Sequence, residues 1–149
     1  KMGKGSKLMK DIVTPLIYNQ EKWYNYGVHK KDGGIWSKQS GTWKPLKWSV
    51  TGNMKYPFTT ISESGKKKVV SFHIATHETL NSNLPVPEGI TKTDWKKTPA
   101  RVKAMLRKIW QVNHIDHDHL NFSPKNLEWT TGTENVAAYQ RHRVAAKKG

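Results

Sequence analysis

The sequence predicts an α+β fold: a small antiparallel sheet with a helix, then a linker helix, then a C-terminal strand–loop–strand–helix (ββα) unit. Three observations predict it. Short runs rich in β-branched and aromatic residues, separated by glycine turns, fill the first half of the chain. Apolar residues recur at helical spacing just after Pro99. In the last third, two short strand-like runs flank a polar loop and lead into a helix start.

Residues 1–23 read as a basic N-terminal arm, because Lys1–Lys10 (KMGKGSKLMK) is cationic and without periodicity. Residues 24–82 read as a β-rich module. Its strand-like runs are Tyr56–Ile61 and Lys68–Ile74. Its turns are Asp32-Gly33-Gly34, Ser40-Gly41, Thr51-Gly52-Asn53 and Ser64-Gly65. The second run passes into a short helix, Ala75–Asn81. Residues 83–111 form a linker with Pro85, Pro87 and Gly89, followed by Thr98-Pro99 as N-cap and first helical residue. Val102, Met105, Leu106, Ile109 and Trp110 then make an apolar stripe on a helix of about three turns. Residues 112–149 begin with a strand at Val112–Asp116. A loop, His117–Asn126, leads to a returning strand, Leu127–Thr130. Thr131 to Glu134 has capping-box spacing for a final helix.

The 149 residues carry 26 Lys+Arg against 11 Asp+Glu, a formal charge of +15. The excess is spread along the chain: residues 1–75 hold 14 basic and 4 acidic groups, residues 76–149 hold 12 and 7. Such self-repulsion is relieved by a polyanion, so nucleic acid is the expected partner. Seven Trp and five Tyr favour a folded protein over a disordered polycation. The absence of cysteine excludes disulfides, a thiol nucleophile and thiolate zinc sites. No membrane span or signal peptide is expected, and the expected compartment is cytoplasmic. Charge alone leaves two classes open, a packaging protein and an enzyme acting on nucleic acid.

The last third favours the enzyme. Metal-assisted phosphodiester hydrolysis needs an imidazole to take a proton from water and a divalent cation on the scissile phosphate. A ββα unit offers both, with His114 on its first strand and Asn135 on its helix. Asn113 points to the opposite face of an ideal strand, so acting jointly with His114 requires a distorted strand end.

Val112-Asn113-His114-Ile115-Asp116, then Ser123-Pro124-Lys125-Asn126-Leu127-Glu128-Trp129-Thr130-Thr131, then Glu134-Asn135 closely resemble the ββα-metal motif of HNH endonucleases, in particular phage HNH homing endonucleases. The three matched positions are separated by 12 and 9 residues. Tyr26-Gly27-Val28, Gly34-Ile35-Trp36-Ser37 and Phe72-His73-Ile74-Ala75 more weakly resemble the NUMOD-type module that often precedes that motif. The resemblance implies a DNA endonuclease that nicks duplex DNA at a specific site and leaves 5′-phosphate and 3′-hydroxyl ends. It implies a phage-encoded protein in a bacterial host, with a monomer favoured. His114 would be the general base. Asn126 would tie the loop and orient His114. Asn113 and Asn135 would ligate the metal.

The family position one turn after Asn135, often His, is Tyr139 here; a carboxamide shell favours Mg²⁺ or Mn²⁺ over Zn²⁺. Relatives often have Asp-Gly where this chain has Asp116-His117-Asp118-His119. A polar solvated loop is the expected reading, with His117 or His119 as possible accessory groups near the phosphate. If extended, the segment would place both histidines on one face. Lys44, Lys47, Arg101, Arg107, Arg141 and Arg143 are the candidate DNA contacts. His73 and His77, four residues apart, are expected to share a helix face and to pack or meet DNA. His29 and His142 are expected at the surface. The rival function is a basic nucleic-acid-binding protein on an impaired scaffold.

Overall fold

The computed structural model describes residues 12–131, apart from 40, 54 and 88. Strands β1 (Val13–Tyr18), β2 (Glu21–His29), β3 (Ile35–Gln39) and β4 (Thr42–Pro45) form an antiparallel meander in that order. A hairpin follows, β5 (Phe58–Glu63) with β6 (Lys66–Ser71), and runs directly into α1 (Phe72–Leu80). Two short helices, α2 (Lys92–Lys97) and α3 (Ala100–Leu106), and a 3₁₀ turn, Arg107–Ile109, lead to β7 (Trp110–His114). A loop ending in the 3₁₀ turn Pro124–Asn126 connects β7 to its antiparallel partner β8 (Leu127–Thr131). The mixed α+β class is as expected. Among the described residues no helix is long and apolar enough to cross a membrane.

Several element boundaries differ from the sequence expectation. The basic arm does not extend to residue 23, since Val13–Tyr18 and the start of β2 belong to the sheet. Pro15 disguises β1. It is tolerated because β1 is the edge strand, and the register shifts between Pro15 and Leu16. The strand expected to reach Ile74 stops at Ser71, where the Phe72 N–H donates to the Pro57 carbonyl at 2.9 Å and the helix begins.

The helix expected after Pro99 is present as α3 and the 3₁₀ turn that continues it to Ile109, but without the expected caps and without a core-facing stripe. Thr98 is the C-cap of α2, Pro99 the N-cap of α3, and Trp110 lies in a strand. Met105 is 71% exposed and Ile109 46%, so the stripe does not face a core. By contrast, Ser64 and Gly65 take positive φ values of 52° and 80°, which suits a tight two-residue hairpin turn.

The core joins the sheet to α1. Leu16, Tyr18, Trp23, Val28 and Ile35 meet Ile61 and Val70 of the hairpin and Phe72 and Ala75 of α1, with Phe122 packed against them. Polar side chains of α1 serve the sheet's backbone, which explains why so polar a helix is buried. The Thr76 hydroxyl accepts from Gly34 N–H at 2.9 Å, and Thr79 accepts from Ile17 N–H at 2.9 Å. Glu78 accepts from Asn19 and Gln20 N–H at 2.8 and 2.7 Å, at a β1–β2 turn where both residues have positive φ. Gly33, at φ 74°, lies so close to the Phe122 carbonyl that a Cβ has no room. The β2–β3 turn thereby abuts the loop leading to β8.

Candidate active site at the end of β7

Strands β7 and β8 pair without interruption from Trp110↔Thr131 to His114↔Leu127. Neighbouring side chains on β7 therefore point to opposite faces, with no distorted strand end. The Asn113 amide donates across the pair to Glu128 Oε1 at 3.0 Å. His114, only 3% exposed, lies on the other face and meets α1. The structure thus does not bring Asn113 together with His114.

His114 sits in a cluster of rings. Its centroid is 4.8 Å from that of His73 on α1 and 5.8 Å from that of His119 in the loop. Tyr56, from the β4–β5 connection, packs among all three, at 5.5 Å and nearly parallel to His114, 4.4 Å from His73 and 4.7 Å from His119. His73 Nδ1 and His114 Nε2 are buried and have no hydrogen-bond partner among the described residues. Burial, reinforced by His114 and His119, lowers His73 from 6.5 to about 3. Burial and then His119 also push His114 below its ordinary value, against the opposing pull of Asp116 and Asp118. His114 is therefore neutral at neutral pH and able to accept a proton.

The loop after His114 is fastened by Asn126. Its side-chain oxygen accepts from Asp116 N–H at 3.0 Å. Its amide donates to Asp116 Oδ1 at 2.8 Å and to the Asn121 carbonyl at 2.9 Å. The Asn126 carbonyl accepts from Ile115 N–H at 2.8 Å. Asn126 thus grips the two residues that follow His114. Hydrogen bonds from the Asn121 side chain and the Asp118 backbone hold the Asp116 carboxyl below its ordinary value. His117, at φ 63°, turns the chain, so the extended alternation of residues 116–119 is not adopted. Instead His119 returns to Tyr56 and His114, while Asp116 and Asp118 stay exposed.

The expected DNA contacts divide. Lys44, Lys47 and Arg101 are exposed. Arg107 is not free for a phosphate: its side chain is 12% exposed and pairs with Glu78 at 3.1 Å. It also donates to the Trp110 carbonyl at 3.1 Å and stacks 4.7 Å above Trp129. His29, expected at the surface, is buried. Its Nδ1 accepts from Asp32 N–H at 2.9 Å and its ring stacks on Trp36. Asn135, Tyr139, Arg141, His142, Arg143 and the capping box lie outside the described residues.

Sequence reasoning placed Tyr56 in a strand that in fact begins at Phe58, and gave neither Tyr56 nor His73 a place beside His114. No local pattern signals that either meets His114, because the three lie on separate segments. Among the described residues no three His, Cys, Asp or Glu side chains are grouped to hold a metal ion. With Asn113 turned to Glu128, those residues alone do not fit a Mg²⁺ or Mn²⁺ shell.

The buried histidines make stability acid-sensitive. His77 is lowered to about 4, chiefly by burial, and His73 to about 3. The unfolded chain protonates both near pH 6.5, so it binds more protons than the fold below that pH. Their contribution is complete above pH 6.5 and is lost as pH falls toward 4 and 3. A tenfold difference in proton affinity between the folded and unfolded chain is worth about 1.4 kcal/mol. The urea midpoint is expected to drop from pH 7 to pH 5, before most carboxylates titrate, and the drop should shrink in His73→Gln/His77→Gln. A flat profile would contradict this account.

No family model matches the chain, and no curated protein or solved structure matches it either.

Proposed function

We propose that the chain is a metal-dependent DNA endonuclease of the HNH type that nicks duplex DNA, with His114 as the general base. The observation that carries this reading is a neutral imidazole at the end of β7, in a hairpin whose loop is fastened by Asn126. In the proposed step His114 takes a proton from water, the water oxygen bonds to phosphorus as the bond to the 3′-oxygen breaks, the departing 3′-oxygen takes a proton from solvent, and His114 returns its own proton to solvent. The products are a 5′-phosphate and a 3′-hydroxyl. The charge of +15 supplies phosphate contacts and makes affinity fall steeply with salt. The resemblance assigns Mg²⁺ or Mn²⁺ to Asn113 and Asn135, an assignment that the orientation of Asn113 does not support.

That orientation favours a second reading, a basic nucleic-acid-binding protein on a catalytically impaired scaffold. Incubation with supercoiled plasmid, and with phage and host DNA, separates the two. Under the first reading nicked circles accumulate with Mg²⁺ or Mn²⁺ and vanish with chelator. Salt-sensitive binding without nicks in any divalent ion would establish the second.

A further inference from the structure

A cavity of about 610 Å³ opens between the start of the sheet, the end of α1 and the linker helices. Its size falls in the range of small-ligand sites, roughly 300–1,000 Å³. Ile17, Leu84, Val86 and Trp95 give it an apolar lining. Of its charged groups, Glu78 and Arg107 neutralise one another. Lys22 and Lys103 remain, a local charge of about +2 that matches a phosphate monoester dianion. The Lys103 ammonium stands over the buried Trp95 ring, 4.8 Å from its centroid, which fixes the cation on the cavity wall above an aromatic floor. A ligand suited to this wall is an anion with a flat, largely apolar body.

We propose that this cavity binds a single nucleotide, its phosphate between Lys22 and Lys103 and its base against Leu84 and Val86. The site is distinct from His114. Arg107, on the cavity wall, bonds the carbonyl of Trp110, and the strand rise places His114 about 13 Å further along β7. The inference does not rest on nuclease activity, since a pure nucleic-acid binder could use the same cavity. The nucleotide is either free or lifted out of a strand, the latter being a known device of proteins that act on DNA.

Calorimetric titration of the full chain with thymidine 5′-monophosphate and with tetrathymidylate tests it. Saturable binding is expected, weakened at least tenfold by Lys22→Glu or Lys103→Glu. Ala100→Trp, at an exposed position on the cavity wall, should block it without changing charge. Lys38→Glu, on β3 and not among the lining residues, should bind as wild type and so exclude a bulk-charge effect. Thermal unfolding confirms that each variant is folded. Binding of the mononucleotide identifies a free ligand; binding of the tetranucleotide alone identifies a strand nucleotide. No saturable binding of either, or binding indifferent to the cavity substitutions, overturns the proposal.

Discussion

Replacing Glu78 with alanine is expected to cost about 3–5 kcal/mol, the usual range for breaking a buried ion pair. Glu78 is 2% exposed. Its carboxylate accepts the Asn19 and Gln20 amides of the β1–β2 turn and the Arg107 guanidinium. Removing it strands two backbone donors and a buried cation whose Nε has no partner among the described residues. Arg107 in turn reaches the first residue of β7 and stacks on Trp129 of β8. One carboxylate thereby links the N-terminal sheet to the hairpin carrying His114. A domain stable by roughly 5–15 kcal/mol would lose much of its margin. Urea denaturation measures this. The double substitution Glu78→Gln/Arg107→Met should recover part of the loss, because no uncompensated charge remains. A loss for Glu78→Ala below about 1 kcal/mol would show that the pair does not link these elements. The same geometry predicts that impaired DNA binding in Arg107→Ala would reflect a weakened fold.

The limits of the sequence reading have physical causes that particular residues make plain. The β7–β8 hairpin was legible because its apolar and polar residues alternate and Asn126 stands at its loop end. The Ser64-Gly65 turn was legible because few residue pairs tolerate two positive φ angles. Strand β1 was obscured by Pro15, which argues against a strand unless the strand lies at an edge; edge status is a property of the sheet. The stripe from Val102 to Trp110 has real helical spacing, yet spacing does not say which side a helix buries. Arg107 turns inward because Glu78, 29 residues earlier, has a buried carboxylate requiring a cation. Opposite faces for Asn113 and His114 followed from strand geometry alone, and the unbroken register keeps them apart. The gathering of His73 and Tyr56 about His114 is tertiary and leaves no local trace, whereas His119, in the loop after β7, was legible as a possible accessory group.

Under the proposed nuclease reading, substituting His114 with alanine is expected to lower the nicking rate by about 10²–10⁴-fold, the usual contribution of a positioned general base. That corresponds to roughly 3–5 kcal/mol on the barrier. On the same reading DNA affinity should change little, because phosphate contacts would come from the distributed basic surface, of which Lys44, Lys47 and Arg101 are exposed members. The loss should therefore fall on turnover and spare half-saturation by DNA. His114→Gln is the companion variant, since it fills more of the buried site and separates lost chemistry from lost packing. If both variants bind DNA by fluorescence anisotropy as wild type does and neither nicks, the imidazole itself is required. If His114→Ala nicks as fast as wild type, His114 is not the base, and its buried nitrogen needs another explanation. Burial makes the substitution informative in either case: an imidazole kept neutral, with no partner for Nε2 among the described residues, costs the fold hydrogen-bonding energy.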